Sequence, residues 1–576
     1  MKTKIYHIIF TCTLAITCTL ISCSDFLDVT PKGMVTKEGI FNPEDTEKMV
    51  TSAYSELGND HYQNPNSNWP HGNVRSDDAH KGGDGLSDSG DYHGLDVYNE
   101  MRATNGWMDY RWWKFYVGIS RVHRAMEFLN GMSESDYPNK HQRIAEMRFL
   151  RGWYTLQLKL IWKYFPYVDE TMDEAEYKLI SNRQYSNNEL WSKIAEDFKA
   201  ASEGLPDSQK EPGRPTKFAA KAFYGKTLLY QAYEQDESHQ VTKINTALLE
   251  QVVLLMDEVI QSKKYGLFED FGYNFIVDYD NGKESIFAIQ RSMNDGTGSG
   301  RIDGSSLLNH PIGPYGCCGF HIPSQNLVNV FQTSNEGLPL FDTFNNYSPI
   351  DPVDFKTHNI DPRLDHTVGI PEHIWKYDNT TLYDKSWARA PQVYGHYSSM
   401  KEVMHYKCDC FKKVPPFMSS TKNTVLMRYA DVLLFKAEAL IELNRPQEAL
   451  ELINMVRRRA SDSRAMIAFD DNTYASTYKI GEYKPGENCT WNQDFARKAL
   501  RFERRLEFAM EGYRFFDLVR WGVADEVINK YLEVEKTRRE YYKTAKFTKG
   551  RDEYLPIPQS QINYSEGNLI QNSKYE

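Results

Sequence analysis

The sequence lacks the features of an integral membrane protein, of a disulfide-rich protein and of a nucleic-acid-binding protein. After residue 21 no uncharged apolar run approaches the ~20 residues that are needed to span a bilayer. Only 8 cysteines occur in 576 residues, and 68 basic side chains face 79 acidic ones, for a net charge of −11. Because so acidic a chain has no overall field that attracts phosphate backbones, no nucleic-acid partner is expected.

Catalytic and nucleotide-binding motifs are also missing. There is no His-Glu-x-x-His, no Gly-rich phosphate loop ending in Gly-Lys and no Gly-x-Ser-x-Gly. No cysteine or histidine spacing typical of structural zinc occurs. We therefore expect a non-catalytic protein without a cofactor. A glycoside hydrolase on a helical scaffold stays an alternative, because the separation of two catalytic carboxylates is a spatial quantity.

Aromatic residues, in contrast, are abundant. They make up 13% of the chain, as 37 Tyr, 29 Phe and 11 Trp. A tyrosine ring joins a flat apolar face to a polar tip that tolerates water. The 40% of hydrophobic and 26% of charged residues are typical of a folded protein. Some rings are therefore expected at the surface, where they would hold a ligand.

The first 23 residues have the pattern of a lipoprotein signal peptide. Lys2 and Lys4 precede an uncharged, mostly apolar stretch that ends in Leu20-Ile21-Ser22-Cys23, which resembles the bacterial lipobox. We expect residues 1–22 to be removed and Cys23 to carry the lipid that anchors the mature chain to a membrane. The alternative is a soluble secretory signal with an incidental cysteine.

The five cysteines beyond Cys23 suggest two local pairs. An odd number outside the cytoplasm argues against a complete disulfide framework. Cys317 and Cys318 are adjacent and are candidates for a vicinal disulfide, while Cys408 and Cys410 are candidates for a local one. Cys489 has no partner in this scheme, and the sequence leaves the oxidation state open.

Helical periodicity recurs along the chain, with apolar residues at i, i+3 and i+4. The predicted helices cover residues 108–128, 141–162, 189–205, 218–233, 246–264, 425–443 and 446–460. In the last pair Ala437 and Ala449 have the spacing of two small positions in a tetratricopeptide repeat. Antiparallel helices approach closely only where small residues meet. The pattern predicts an array of helical hairpins interrupted by insertions.

Two insertions, 59–106 and 293–422, are long, rich in turn residues and aromatic. Such loops are usually functional or disordered, and their aromatic content argues against disorder. The chain also exceeds the ~250–300 residues at which single cores stop growing. We therefore divide the mature chain into an N-terminal region, 23–292, a loop-rich ligand-facing insertion, 293–424, and a C-terminal region, 425–576.

Six stretches form a series along nearly the whole chain. They are 23–28 (CSDFLD), 148–154 (RFLRGWY), 213–216 (GRPT), 361–364 (DPRL), 503–522 (ERRLEFAMEGYRFFDLVRWG) and 554–558 (YLPIP). In this order and behind a lipobox they resemble the SusD/RagB family, the surface lipoproteins of Bacteroidetes nutrient-uptake systems. The resemblance implies a mainly α fold, in which four tetratricopeptide-type helical hairpins form a scaffold with a loop-rich region on one face.

The resemblance also implies a function. Such a protein captures an oligosaccharide at the cell surface and delivers it, as a lid, to a SusC-like TonB-dependent transporter of the outer membrane. RagB-like members are associated with peptides, so a peptide ligand is an alternative. A repeat protein whose only ligand is another protein is a third reading.

The candidate ligand-binding residues follow from how proteins hold sugars. Aromatic rings stack on sugar faces, while Asp, Asn and Arg bind the hydroxyls. In the family that the chain resembles, the sugar site is lined by a Trp near the start of the predicted helix 108–128, by polar residues upstream of that Trp and by aromatic residues of the mid-chain loops. The candidates are Arg75, Asp77, Tyr98 and Trp107 from the first insertion, and Tyr315, Trp387 and Tyr394 from the second, with Cys317-Cys318 as a flat disulfide platform. For each ring the alternative is that it pins its loop to the core.

Two further expectations concern charged residues. Asp77 and Asp78 with Asp84, Asp88 and Asp91 are an alternative Ca²⁺ site, although their spacing does not match an EF-hand. In the stretch 503–522, the arginines and carboxylates are expected to pair at i, i+3 or i+4 along a helix, with Phe508, Phe515, Phe516, Leu518 and Trp521 buried. This stretch is expected to have a structural role.

Overall fold

The structure is a computed structural model that describes residues 41–297 and 300–575. The predicted signal peptide, 1–22, and the predicted lipidation site, Cys23, lie outside the described residues. No helix in 41–297 or 300–575 combines the length and the apolar character needed to cross a bilayer.

Helices dominate the described part of the chain, as the sequence predicts. In chain order they are α1 (Pro43–Leu57), α2 (Gly90–Val97), α3 (Gly106–Gly131), α4 (Lys140–Trp162), α5 (Asn187–Gly204), α6 (Lys217–Ala232), α7 (Thr246–Gln261), α8 (Gln325–Val330), α9 (Pro352–Thr357), α10 (Arg363–Thr367), α11 (Pro391–Tyr394), α12 (Tyr429–Glu442), α13 (Pro446–Asp462), α14 (Gln493–Phe508), α15 (Arg514–Arg520), α16 (Ala524–Arg538) and α17 (Gln559–Tyr564).

The strands are short, and those of the described residues associate in pairs. They are β1 (Ala79–Gly82), β2 (Tyr233–Gln235), β3 (Val241–Ile244), β4 (Ser285–Ile289), β5 (Phe320–Pro323), β6 (Asn359–Ile360), β7 (Val368–Gly369), β8 (Ile374–Trp375), β9 (Asp378–Leu382), β10 (Ser398–Ser399), β11 (Phe411–Val414), β12 (Phe417–Ser420), β13 (Thr424–Arg428) and β14 (Thr477–Tyr478). The pairs are β1–β5, β7–β10, β11–β12, β4–β13, β2–β3 and β8–β9, all antiparallel, and β6–β14, which is parallel.

The long helices form one array that carries the main hydrophobic core. Helices α1, α3, α4, α5, α6, α7, α12 and α13 each pack against the next, which gives four consecutive helical pairs. The array passes directly from α7 to α12, so the chain between them lies outside it. This is the predicted mainly α scaffold of four hairpins with a large insertion.

Local sequence signals account for the helix boundaries. Ser186 and Glu189 form a capping box that starts α5, and Pro446 occupies the first turn of α13, where its missing N–H costs nothing. Small residues allow the crossings, since Ala437 and Ala449 are fully buried. At Gly118 in α3 an added Cβ would lie 2.5 Å from the Tyr154 ring in α4. The predicted helices are thus confirmed, together with the local residues that start them and let them pack.

Two sequence expectations for the C-terminal half are wrong in detail. The predicted helix 425–443 begins only at Tyr429, because β13 pairs with β4 before the chain turns helical. The stretch 503–522 is not one helix, since α14 ends at Phe508 and α15 starts at Arg514. Between them Met510 and Gly512 have positive φ, which an α-helix cannot continue through. The five apolar residues predicted to be buried in this stretch are buried.

Most charged residues of this stretch pair with distant parts of the chain and not with neighbours along a helix. Glu507 contacts Arg363 at 3.1 Å and Arg428 at 2.9 Å, and it also pairs with Arg459. These four side chains are almost completely buried. Asp517 and Arg520 pair at the expected i, i+3 spacing, at 2.6 Å, whereas the Arg504–Asp517 pair bridges the break between the two helices at 2.8 Å. The structural role is confirmed, but its long-range form was not predicted.

A second buried carboxyl, Glu553, gives the fold a pH dependence. One of its oxygens accepts the Gly550 N–H at 3.1 Å, whereas the other is buried without a partner. Burial raises the pKa of Glu553 from 4.5 to about 7. The folded state therefore holds this proton more tightly than the unfolded state. The contribution of Glu553 to the unfolding free energy is fully present below pH 4.5 and is lost as pH rises through 7.

Glu553→Gln removes this titration. Between pH 5 and pH 8 the unfolding free energy of the wild type should fall by about 2–3 kcal/mol more than that of the variant. Chemical denaturation of both proteins at the two pH values measures the difference. Parallel pH dependence of the two proteins would contradict the raised pKa.

Candidate functional site

The two predicted insertions meet and form one surface. Strand β1 of the first pairs with β5 of the second, with Ala79 opposite Pro323. The indole N–H of Trp69 donates to the Ser305 carbonyl at 3.1 Å, which joins the insertions again. Arg389 donates to the Cys318 carbonyl at 3.0 Å and lies 3.3 Å from the Asp88 carboxylate. Contacts between segments this far apart in sequence make the insertions an ordered unit.

Trp107 stands in the first turn of α3 at the edge of this surface. Asn105 caps the helix, because its side-chain oxygen accepts the N–H groups of Trp107 and Met108, both at 3.1 Å. The Asp91 carboxylate also accepts the Trp107 N–H at 3.3 Å, and Asn105 donates to the Asp91 carbonyl at 2.7 Å. This network fixes the backbone that carries the indole ring.

Three half-buried rings, Tyr62, Trp107 and Phe417, form what we call the aromatic platform. The Tyr62 ring lies edge-on to Trp107 at 5.5 Å and is tilted against Phe417 at 5.2 Å. Beneath them Trp107 meets the fully buried Tyr92 at 4.7 Å. Because these rings are packed on buried neighbours, the exposed parts of their faces are held in place. The platform thus presents rigid apolar surface to solvent.

Polar groups flank the platform. His61 packs on Tyr62 with ring centroids 3.9 Å apart. Burial lowers the pKa of His61, although Asp60 opposes this effect. The imidazole is therefore neutral at pH 7, and one of its nitrogens already bonds to the Gln63 side chain. Arg389 is partly exposed near the second insertion's disulfide.

The disulfide predicted between Cys317 and Cys318 is present, and its half-buried Cys317 packs on the same hydrophobic cluster as the platform rings. Trp387 supports this loop, because its carbonyl accepts the Ile312 N–H at 2.9 Å and its ring leaves no room for a side chain at Gly313. Cys408 and Cys410 also form a disulfide, and Cys489 is the free cysteine of the described residues.

Arg75, Asp77 and Tyr98 are buried and hold the insertion to the C-terminal region. The Arg75 guanidinium lies 4.1 Å over the Phe515 ring and donates to the Asp552 carbonyl at 2.6 Å. Asp77 pairs with Arg505 and Arg514 at 3.0 and 2.8 Å. The Tyr98 hydroxyl donates to the Arg75 carbonyl at 2.7 Å. These partners leave almost no solvent-accessible surface on the three side chains.

Tyr315 and Tyr394 also lie beneath the surface. The Tyr315 hydroxyl donates to the Met404 carbonyl at 2.7 Å and accepts the Trp375 indole N–H at 2.9 Å. Burial raises the pKa values of Tyr315 and Tyr394. Tyr394 packs beside His80 and Tyr541. Of the nine candidates, Trp107, Cys317 and Trp387 are therefore the ones with partly exposed side chains.

The platform includes two residues that the sequence did not single out as ligand-binding. Tyr62 is one of several tyrosines of the first insertion, and Phe417 follows two prolines at the turn of the β11–β12 hairpin. Their common signal is an aromatic residue beside a turn, which many buried rings share. Only the packing of the two insertions separates them from those rings.

The alternative of a Ca²⁺ site finds no support among the described residues. Asp78 pairs with Arg505 at 2.9 Å, and Asp88 pairs with Arg389. Within 41–297 and 300–575, no cluster of three or more His, Cys, Asp or Glu side chains is placed to hold a metal ion. The arginines that neutralise these carboxylates occupy the places that a cation would take.

Comparisons with known proteins agree with this architecture. Residues 283–575 match a family model described as the SusD family, and residues 25–229 match one described as "Starch-binding associating with outer membrane". SusD-like protein P38 of Formosa agariphila is 23% identical over 515 residues, which cover 88% of this chain and 90% of that protein.

Solved structures show the same fold. A SusD homolog from Bacteroides thetaiotaomicron is 20% identical, with a TM-score of 0.68 over 93% of this chain and 97% of that one. The surface glycan-binding protein A of the same organism, in complex with laminarihexaose, is 22% identical, with a TM-score of 0.65 over 92% and 99% of the two chains. A "Laminarin binding SusD-like protein" is 22% identical, with a TM-score of 0.65 over 93% and 100%.

Proposed function

Since the chain belongs to the SusD/RagB family, we propose that it is a non-catalytic, glycan-binding lipoprotein of the cell surface. It captures oligosaccharides at the outer membrane and passes them to a SusC-like TonB-dependent transporter. Cys23 carries the lipid anchor in this proposal. The description of the N-terminal family model, which names starch binding and the outer membrane, supports both the ligand class and the location.

The observation that carries the proposal is the aromatic platform. A pyranose ring has an apolar C–H face, which gains from contact with a flat aromatic ring, and a rim of hydroxyls, which need hydrogen-bond partners. Tyr62, Trp107 and Phe417 provide the rings, while His61 and Arg389 provide flanking polar groups. Relatives named for glycan binding share the fold that supports this platform.

The state of the nearby carboxylates supports binding without catalysis. A glycosidase needs one carboxyl that holds a proton and another that is free to attack or to activate water. Asp88 is paired with Arg389, and the Asp91 carboxylate accepts the Trp107 N–H at the start of α3. Both groups are committed to holding the insertions in place.

Trp107→Ala is expected to weaken glycan binding by about 1–3 kcal/mol, the typical range for the loss of one stacked ring. Isothermal titration with a panel of oligosaccharides, including laminarin fragments, measures the change. Trp107→Phe keeps a flat ring and should retain most of the affinity. Tyr279→Ala, which removes a 37% exposed ring outside both insertions, is the matched control.

Three outcomes would contradict the proposal in different ways. Unchanged affinity in Trp107→Ala removes the platform from the site. Products released from the bound oligosaccharide, detected by chromatography, contradict the non-catalytic function. Binding of a peptide mixture with no binding of any glycan supports the peptide alternative instead.

A further inference from the structure

Apart from the aromatic platform, an aromatic groove lies on the helical scaffold, outside both insertions. It is formed by α3, the segment around residue 178 and the C-terminal helix α17. Trp113 and Tyr564, which line it, are 51% and 69% exposed. Single exposed rings are common on folded domains, but rings grouped in one groove are typical of binding sites.

The groove is a built feature of the fold. The Gln559 N–H donates to the Ala103 carbonyl at 2.9 Å, and the Gln561 amide donates to the Asp109 carboxylate at 2.7 Å. These two bonds align α17 with the start of α3. Trp113 lies one helical turn beyond Asp109, and Tyr564 lies one turn beyond Gln561. The hydrogen bonds therefore fix the two helices whose rings, Trp113 and Tyr564, line the same groove.

The chemistry of the groove suits a neutral ligand that is rich in hydroxyl groups. Ser560 and Gln561 line it together with the aromatic rings. Its two cations are already compensated, since Lys178 lies 2.8 Å from Glu566 and Arg121 lies 3.0 Å from Glu56. An anionic ligand would find no uncompensated charge there. Rings alternating with hydrogen-bonding groups are the arrangement that binds sugars.

Size separates this groove from the internal cavity beneath the helices. It encloses about 770 Å³, within the range of ~300–1,000 Å³ that is typical of ligand sites. The internal cavity beside Lys226 and Lys401 encloses about 120 Å³ and is below that range. The groove is therefore large enough for sugar rings, whereas the internal cavity has the size of a water-filled space.

We propose that the groove between Trp113 and Tyr564 is a second glycan-binding site, separate from the aromatic platform. Trp107 and Trp113 are six residues apart on α3, so at about 100° per residue their side chains point about 120° apart. A long polysaccharide can thus engage two faces of one protein, which raises its apparent affinity without any new contact at the platform. This inference rests on the proposed glycan-binding function, and it adds a second site to it.

Fluorine NMR of the full protein labelled with 5-fluorotryptophan tests both sites at once. Trp107→Phe and Trp113→Phe assign the two signals by their disappearance. On addition of oligosaccharides from the panel, both signals are expected to shift. Movement of the Trp113 signal alone would support the second site and contradict the platform.

The outcomes separate the two proposals. A Trp113 signal that stays unchanged while the Trp107 signal shifts overturns the second site and leaves the proposed function standing. If neither signal responds to any glycan, the glycan-binding function fails as well.

Variants give an independent measurement. Trp113→Ala and Tyr564→Ala should each weaken binding to an immobilised polysaccharide about tenfold or more, because they remove the second point of attachment. The affinity for a short oligosaccharide at the platform should stay within about twofold. Tyr279→Ala serves again as the control. Equal loss in the control, or wild-type binding in both variants, overturns the second site.

Discussion

Glu507→Ala is expected to lower the free energy of unfolding by about 3–5 kcal/mol. The variant leaves the guanidinium groups of Arg363, Arg428 and Arg459 buried and without the carboxylate they share. Water cannot replace that carboxylate, because the side chains at this point are almost fully buried. Chemical denaturation followed by tryptophan fluorescence measures the loss.

Glu451→Ala is the matched control, since Glu451 pairs with Arg458 at 3.3 Å on the surface, where 65% of its side chain is exposed. The control should change stability by less than about 0.5 kcal/mol. A loss in Glu507→Ala no larger than that of the control would show that the buried cluster does not stabilise the fold.

The same cluster predicts acid sensitivity. Burial by itself would raise the pKa of Glu507, but the charges of Arg459, Arg428 and Arg363 have a larger opposite effect. The pKa of Glu507 is therefore well below its ordinary value. The stabilisation from this carboxylate is thus present above about pH 4.5, the ordinary value for Glu, and is lost as pH falls toward the folded-state pKa. In Glu507→Gln this part of the acid dependence should disappear.

Asp77→Ala is expected to lose about 3–5 kcal/mol of unfolding free energy and to keep its glycan affinity within about twofold. Burial raises the pKa of Asp77, while Arg505 and Arg514 lower it, with a net decrease. Removing the carboxylate leaves both guanidinium groups buried without the partner that they hold at 3.0 and 2.8 Å. Stability is measured by denaturation, and affinity by titration below the unfolding transition.

Asp84→Ala is the stability control, because Asp84 lies in the same insertion with 67% of its side chain exposed. It should change stability by less than about 0.5 kcal/mol. If Asp77→Ala kept its stability and lost affinity, Asp77 would belong to the ligand site after all.

Much of the fold could be predicted from local sequence signals. The helices of the scaffold could be predicted because apolar spacing, the Ser186 cap and Pro446 act within a few residues. The break after Phe508 was missed because it depends on two backbone positions with positive φ, at Met510 and Gly512. The apolar residues on both sides of that break keep a helical spacing, so periodicity alone extends through it.

The candidate site was less accessible to prediction. Trp107 follows from its place before a helix and from the family resemblance, but Tyr62 and Phe417 come from segments that meet only in the folded chain. Polar candidates such as Arg75 and Asp77 have the residue types of a sugar site. The structure gives them buried internal partners, which a sequence cannot display.

The sequence by itself determined that this is a mainly helical chain with family motifs, two ordered insertions and an excess of aromatic rings. These properties arise from contacts within a few residues or from composition. The tertiary structure alone decided which rings and charges reach the solvent. Arg505 meets Asp78 across 427 positions, and the exposed rings Trp113 and Tyr564 face one groove from opposite ends of the chain. Exposure depends on what the rest of the chain covers, and that is a property of packing over long sequence separations.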